Sequence, residues 1–178
     1  MSASAASERL LKVLEGLELR WRPTNDPIAT LEVEREAVRS VLERLHGAGE
    51  FKQNTLVTAV DHHPRTPRFE VVWQFLSHAH NERVRVSCLL AEDQTSVPTC
   101  TDLWPGASFS ERECWDMFGV VFDGHPDLRR LLMPADYDHH PLRKEFPHQG
   151  IEPDRLYREW DKARRATWQN SQDGGQGS

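Results

Sequence analysis

RFEVVWQFLSHAHNERVRVSCLLA, residues 68–91, decides the fold. Its halves, 68–78 and 83–91, are rich in β-branched and aromatic residues, which fit a pleated, half-buried surface. The four residues AHNE between them form a hairpin-length connection. NTLVTAVD, residues 54–61, has the same character, so three consecutive strands read as an antiparallel meander. The segment EREAVRSVLERLH, residues 34–46, supplies the second layer. Val33, Ala37, Val38, Val41, Leu42 and Leu45 make one apolar stripe, and Gly47 supplies the stop. That stripe needs a surface, and one face of the sheet provides it. The expected fold class is α+β: a two-layer domain with a mainly antiparallel sheet packed by helices.

Working outward, residues 7–15 read as a short helix capped by Ser7, with Leu10, Leu11 and Leu14 on one face. Residues 17–23 and 28–33 are strand candidates, the first interrupted by Pro23. Residues 108–119, SFSERECWDMFG, read as a helix ending at Gly119. Ser108 or Ser110 is its expected cap, and Glu111 or Glu113 suits the positive end of its dipole. Trp115, Met117 and Phe118 supply bulk for packing.

Beyond this helix the chain changes character. Pro126, Pro134, Pro141, Pro147 and Pro153 recur every six to eight residues and bar any long helix. Yet Leu128, Leu131, Leu132, Met133, Tyr137, Leu142, Phe146 and Ile151 are too apolar for a flexible spacer. The economical reading is an extended arm whose apolar side chains sit in another protein's surface. The expected organisation is an α+β domain over 1–124 and a partner-binding arm over 125–168, with a short amphipathic helix in 154–168 and a disordered tail over 169–178. A cut after Gly124 is expected to leave a folded domain.

Composition narrows the function. The net charge of -6 in 178 residues argues against a general nucleic-acid binder. No apolar run approaches the ~20 residues that cross a bilayer, and the first residues lack the pattern of a secretory signal. Cys88, Cys100 and Cys114 are odd in number and widely spaced, which predicts reduced thiols in a cytoplasm. A membrane partner would still hold such a chain at a membrane.

The chemistry on offer is thin. The pairs His62–His63 and His139–His140, and the alternating His78 and His80, lack the cysteine or histidine spacing of a structural zinc or iron–sulfur site. Cys88 and Cys114 fall inside regular elements, where small buried residues are the simpler account. Glu113 and Asp116, three apart, suit an acid–base pair, but ion pairing and capping, with Arg112, Arg129 or Arg130 as partners, is the simpler account. No nucleophile elbow or phosphate-cradling glycine loop is present. Arg143 and Lys144, on a proline-bounded segment, are read as candidates for a partner's carboxylates.

Two blocks carry a resemblance. ERECWDMFGVVFDGHP supplies Glu111, Arg112, Glu113, Trp115, Asp116, Met117, Phe118, Gly119, Phe122, Gly124, His125 and Pro126. HHPLRKEFP supplies His140, Pro141, Leu142, Arg143, Lys144, Phe146 and Pro147. Together they resemble the signature of the thirty-kilodalton (C-type) subunit family of bacterial NADH–quinone oxidoreductase, respiratory complex I. His139 stands where that family usually has glycine, which would permit a positive φ. The resemblance implies a peripheral-arm subunit with no catalytic, cofactor-binding or metal-binding residue of its own. FMN, iron–sulfur clusters and quinone belong to the rest of the complex. It implies docking on the large (D-type) quinone-site subunit, beside iron–sulfur subunits, on the cytoplasmic side of the inner membrane, without nucleic acid. The motif residues then serve as a structural corner and partner interface. The competing readings are the equivalent subunit of a membrane-bound energy-converting hydrogenase, a stand-alone enzyme using Glu113, Asp116 and a histidine, and a simple soluble binding module.

Overall fold

A computed structural model of the chain describes residues 7–148, together with 150, 159 and 162. Its centre is a five-stranded sheet built from β1 (Arg20–Arg22), β2 (Ala29–Glu32), β3 (Gln53–Asp61), β4 (Phe69–Ser77) and β5 (Glu82–Leu90), in the order β1-β2-β5-β4-β3. The expected meander β3-β4-β5 is antiparallel throughout. Its register sets Val71 opposite Cys88, Trp73 opposite Val86 and Phe75 opposite Val84. Period-two alternation therefore sends Phe69, Val71, Trp73 and Phe75 to one face, and all four are fully buried. Burying one such side chain stabilises the fold by about 1.5–3 kcal/mol. Asn81, in the turn between β4 and β5, takes a left-handed φ of 49°, a conformation asparagine tolerates.

β2 departs from the meander. It runs parallel to β5, with Leu31 opposite Val86, so the sheet is mixed. The chain leaves β2, crosses through a helix, enters the sheet at its far edge and returns to β2 two strands later. That crossover helix is shorter than the 34–46 segment predicts. Arg35–Ala37 form a tight 3₁₀ turn, and α2 begins at Val38 and ends at His46. Arg35 is tied elsewhere: its Nε donates to Ser96 O at 2.6 Å and its Nη2 to Asp123 Oδ2 at 3.2 Å. The stripe itself is as expected, with Val38, Val41, Leu42 and Leu45 fully buried.

A short helix, α1 (Glu8–Val13), has Ser7 as its cap: the Ser7 hydroxyl accepts from Leu10 N at 3.1 Å. The last regular elements are β6 (Ser96–Pro98), α3 (Ala107–Phe118) and β7 (Val121–Asp123), β6 and β7 pairing in parallel. α3 packs against β3. Its N-cap is Gly106, without a side-chain bond, rather than Ser108 or Ser110.

The chain divides into two compact units after Lys144. Residues 125–144, read from the sequence as the start of the arm, group with the α+β unit. The second unit contains a turn closed by Gly150 N donating to Pro147 O at 2.9 Å. The helix expected in 154–168 and the tail 169–178 lie outside the described residues, apart from Glu159 and Lys162, both helical.

Candidate functional site

An α-helix leaves its last four carbonyls without internal donors. In α3 all four find partners, three of them in residues 130–143. Gly119 N donates to Trp115 O at 2.8 Å, closing the turn. Arg130 Nη1 and His140 Nδ1 each lie 3.0 Å from Asp116 O. Leu142 N donates to Met117 O at 3.0 Å, and Arg143 Nε to Phe118 O at 2.7 Å. Two arginines thus stand at the negative end of the helix dipole. Because a carbonyl only accepts, the His140 proton sits on Nδ1. Burial pulls the His140 pKa below its ordinary value, with Arg143 and Arg130 adding to the effect, and the ring stays neutral.

Gly119 makes this corner possible. Its φ is 76°, in the left-handed region. A Cβ there would lie 2.3 Å from Arg143 Nη2 and 2.7 Å from His140 Nε2. Glycine is needed both for the backbone conformation and for the close approach of the two capping side chains.

Asp116 is the second element of the corner. Its side chain has no solvent exposure. Oδ1 accepts from Arg130 Nη1 at 2.7 Å, and Oδ2 accepts three consecutive backbone N–H groups, Leu131, Leu132 and Met133, at 2.9, 2.7 and 3.0 Å. Burial alone would raise its pKa. The Arg130 guanidinium and the three amides outweigh burial and hold it below the usual carboxylate value. Arg130 also donates to Tyr137 O and lies over the Trp115 ring at 5.3 Å. Arg112, 7% exposed, donates to the carbonyls of Arg129 and Arg130 at 3.1 and 2.9 Å. Backbone groups that proline spacing bars from helical pairing are thereby satisfied by side chains of α3.

A third anchor lies at the end of β3. Asp61 Oδ2 accepts Lys144 N at 2.8 Å and Arg68 Nη2 at 2.9 Å, and Oδ1 accepts Arg68 Nε and His63 N. Here too burial is outweighed, first by Arg68, and the Asp61 carboxyl is held well below the usual range. The Arg143 guanidinium lies 5.3 Å from the Phe69 ring centre and that of Arg68 4.7 Å.

The sequence-predicted residues therefore sort into groups. Arg112, Trp115, Asp116, Gly119, His140 and Arg143 converge on the C-terminal end of α3. Glu111 turns the other way, fully buried. Its Oε1 accepts Cys100 N at 2.8 Å and its Oε2 the Thr99 hydroxyl at 2.5 Å. Burial raises its pKa. Its expected role at the helix dipole is replaced by this core contact. Glu113 is exposed, so it forms no acid–base pair with buried Asp116. His125 Nε2 lies 3.2 Å from Ser108 O while its Nδ1 accepts Asp127 N at 3.0 Å. Gly124 takes a φ of 86°, and Pro126 is exposed. Pro141 is half-buried, and Lys144 is held through its backbone. Phe146 and Pro147 fall in the second unit. Arg143, read as reaching for a partner's carboxylate, is engaged inside the subunit. His139 has no positive φ, so histidine replaces glycine there without that strain.

Sequence reading missed Asp61 and Arg68; for Asp116 it offered an ion pair with Arg130, present at 2.7 Å, but not the three amides on the other carboxylate oxygen. The signal available was an accounting one: a helix ending at Gly119 must find donors for its carbonyls, and a proline-spaced chain must find acceptors for its amides. The histidine pairs do not converge. His62 meets Glu70 at 2.8 Å, His78 meets Gln53 at 2.6 Å, and His80 meets Glu50 at 2.9 Å. Among the described residues no group of three or more His, Cys, Asp or Glu is placed to hold a metal ion. All three thiols are buried, and burial pushes the Cys88 pKa up to about 12. The arrangement binds and orients backbone; it sets up no activated nucleophile.

Two apolar side chains project from this corner. Leu132, whose amide is held by Asp116, is 61% exposed, and Leu142, whose amide caps Met117, is 51% exposed.

The family model described as "Respiratory-chain NADH dehydrogenase, 30 Kd subunit" matches residues 31–152. The Candida albicans protein named "NADH dehydrogenase [ubiquinone] iron-sulfur protein 3, mitochondrial" is 52% identical over 103 residues, which cover 58% of this chain and 37% of that one. The C-type NADH-quinone oxidoreductase subunit of Roseiflexus castenholzii is 44% identical over 120 residues, covering 66% and 69%. The Erythrobacter litoralis protein of the same name is 43% identical over 120 residues, and the match spans 48% of its length. The chain therefore matches from about a third to about two thirds of the length of these relatives. Among solved structures, the trypsin-resistant fragment (1–134) of Nqo5 superposes with a TM-score of 0.58 at 30% identity, covering 67% of this chain and 99% of that one. A chain of an archaeal membrane-bound sulfane sulfur reductase gives a TM-score of 0.64 at 21% identity, covering 84% and 88%, a likeness of fold alone. With the motif residues, the sheet and the match over residues 31–152 in agreement, this chain belongs to the respiratory-chain NADH dehydrogenase 30 Kd subunit family.

Proposed function

We propose that the chain is a peripheral-arm subunit of a proton-translocating NADH–quinone oxidoreductase, and that it braces the quinone-side module against the large (D-type) quinone-site subunit. In this reading it carries no redox cofactor, and FMN, iron–sulfur clusters and quinone are held by other subunits. It sits on the cytoplasmic side of the membrane through its partners. No helix among the described residues is long and apolar enough to cross a membrane.

The observation that carries the reading is the division of labour at the α3 corner. Its cations and backbone groups are committed inside the subunit, while Leu132 and Leu142 are turned outward. In this reading the two exposed leucines, held on fixed backbone at one helix end, are the apolar anchors of the interface. The test uses the tagged full chain, expressed in its host and purified from detergent-solubilised membranes. The large quinone-site subunit is expected to accompany it. A Leu132→Ser, Leu142→Ser double variant should lose that partner while its unfolding free energy stays within about 0.5 kcal/mol per site. Recovery of the wild-type chain without companions would sink the reading, and a nickel-site large subunit in its place would transfer the chain to a hydrogenase.

A further inference from the structure

We infer that the segment 129–144 is locked onto the α+β unit before any partner arrives, with the Asp116 carboxylate as keystone. Composition points to the opposite behaviour. A proline-spaced apolar arm reads as a segment that orders only on its partner, losing its chain entropy at that moment. The geometry removes the need for a partner. Arg112 donates to the carbonyls at 129 and 130, Asp116 accepts the amides of 131, 132 and 133, and the last carbonyls of α3 accept the Leu142 amide and the side chains of His140 and Arg143. Asp61 receives the amide of Lys144. Each anchoring group belongs to the subunit, and the two carboxylates are shielded from water, with side chains 0% exposed.

Three successive amides aimed at a single carboxylate oxygen form an anion-binding concavity built from backbone. Here the anion is the protein's own Asp116, so the concavity folds the segment rather than capturing a ligand. Arg130 closes the arrangement from the other side. Its Nη1 contacts both the carboxylate and the main-chain oxygen of Asp116, at 2.7 and 3.0 Å. Removing the charge of Asp116 would leave half-buried Arg130 without its counter-ion and three amides with a weaker acceptor. The leucines at 132 and 142 are thereby held at fixed positions around one helix end, and docking draws on a surface already in place.

This inference rests on the proposed function for its meaning but not for its test. Amide hydrogen exchange of the isolated, full-length wild-type chain, read residue by residue, should slow Leu131, Leu132, Met133, Leu142 and Lys144 on the order of 100-fold or more relative to an unstructured peptide. Asp116→Asn should return 131–133 towards the unstructured rate while β4 and β5 keep their protection. Exchange of 131–133 at the unstructured rate in the wild-type chain, beside a protected sheet, would overturn the inference. Should Asp116→Asn fail to fold, Asp116→Glu takes its place, its longer side chain displacing the acceptor from the same amides. Protection at 131–133 unchanged in the folded Asp116 variant would likewise overturn the keystone role. Co-purification of a large subunit is scored separately: its loss removes the functional reading and leaves the exchange result standing.

Discussion

The sheet and the α3 corner belong to one compact unit yet are held by opposite means. Inside the sheet, Phe69, Val71, Trp73, Phe75, Val84 and Val86 meet as apolar bulk, where any side chain of similar volume and polarity serves. At the corner, nearly every contact is a hydrogen bond with a direction: a guanidinium fork, an aspartate under three amides, a glycine with no room for a methyl group. The sheet specifies a pattern and the corner specifies residues.

The sharpest way to break the comparison is to remove one side of it. Treated as two regions of sequence, the domain survives a cut after Gly124. In the structure such a cut takes Arg130 and the amides of 131–133 away from Asp116, opens that carboxylate to water and strips donors from the last three carbonyls of α3. Chain 1–124 should lose about 1.5–3 kcal/mol or more against the full chain in urea unfolding, the range for a hydrogen bond to a charged group. Equal midpoints would mean that the corner contributes nothing to the sheet.

A smaller effect isolates the glycine. Gly119→Ala should cost about 1–2 kcal/mol for the left-handed backbone alone, and more for the contact with Arg143 and His140. Adding Arg143→Ala should recover the Arg143 share of the contact and leave the His140 and backbone shares, a coupling that a double-mutant cycle reads directly. Strict additivity of the two would show that the side chains do not meet.

The smallest effect is acid lability. Asp61 and Asp116 have depressed folded pKa values, so they stabilise the chain above their unfolded value of 3.8, and that stability is lost as pH falls through the folded values. Glu111, raised by burial, acts in the opposite direction, because it takes up its proton first in the folded chain. The net expectation is a urea midpoint that declines below about pH 4, with a shallower decline in Asp61→Asn. The same steepness in the variant would place the acid sensitivity elsewhere.

Much of the sheet layer was legible because periodicity reports burial. The stripe Val38, Val41, Leu42 and Leu45 and the alternation through 69–77 both follow from which side must leave water. The parallel seating of β2 beside β5 was not legible, since nothing in a strand's own residues names its neighbour. The corner was legible as a motif and illegible as a mechanism. Asp116 and Glu113 look alike in sequence, three positions apart on one helix. Only the path of residues 129–144, which no local pattern fixes, buries one and leaves the other in solvent. The Arg143 contact inside the subunit was illegible for the same reason: its acceptor, Phe118 O, is a main-chain atom with no signature of its own.

The three thiols lead to a practical end. Cys88, Cys100 and Cys114 are at most 2% exposed, and burial holds each in its unreactive protonated form. The native chain is therefore silent to maleimides. A single cysteine substituted for exposed Ala135, three residues beyond Leu132, would accept a fluorophore or spin label alone, with no need to edit the rest of the sequence. Such a label would report, in real time, when that surface is covered.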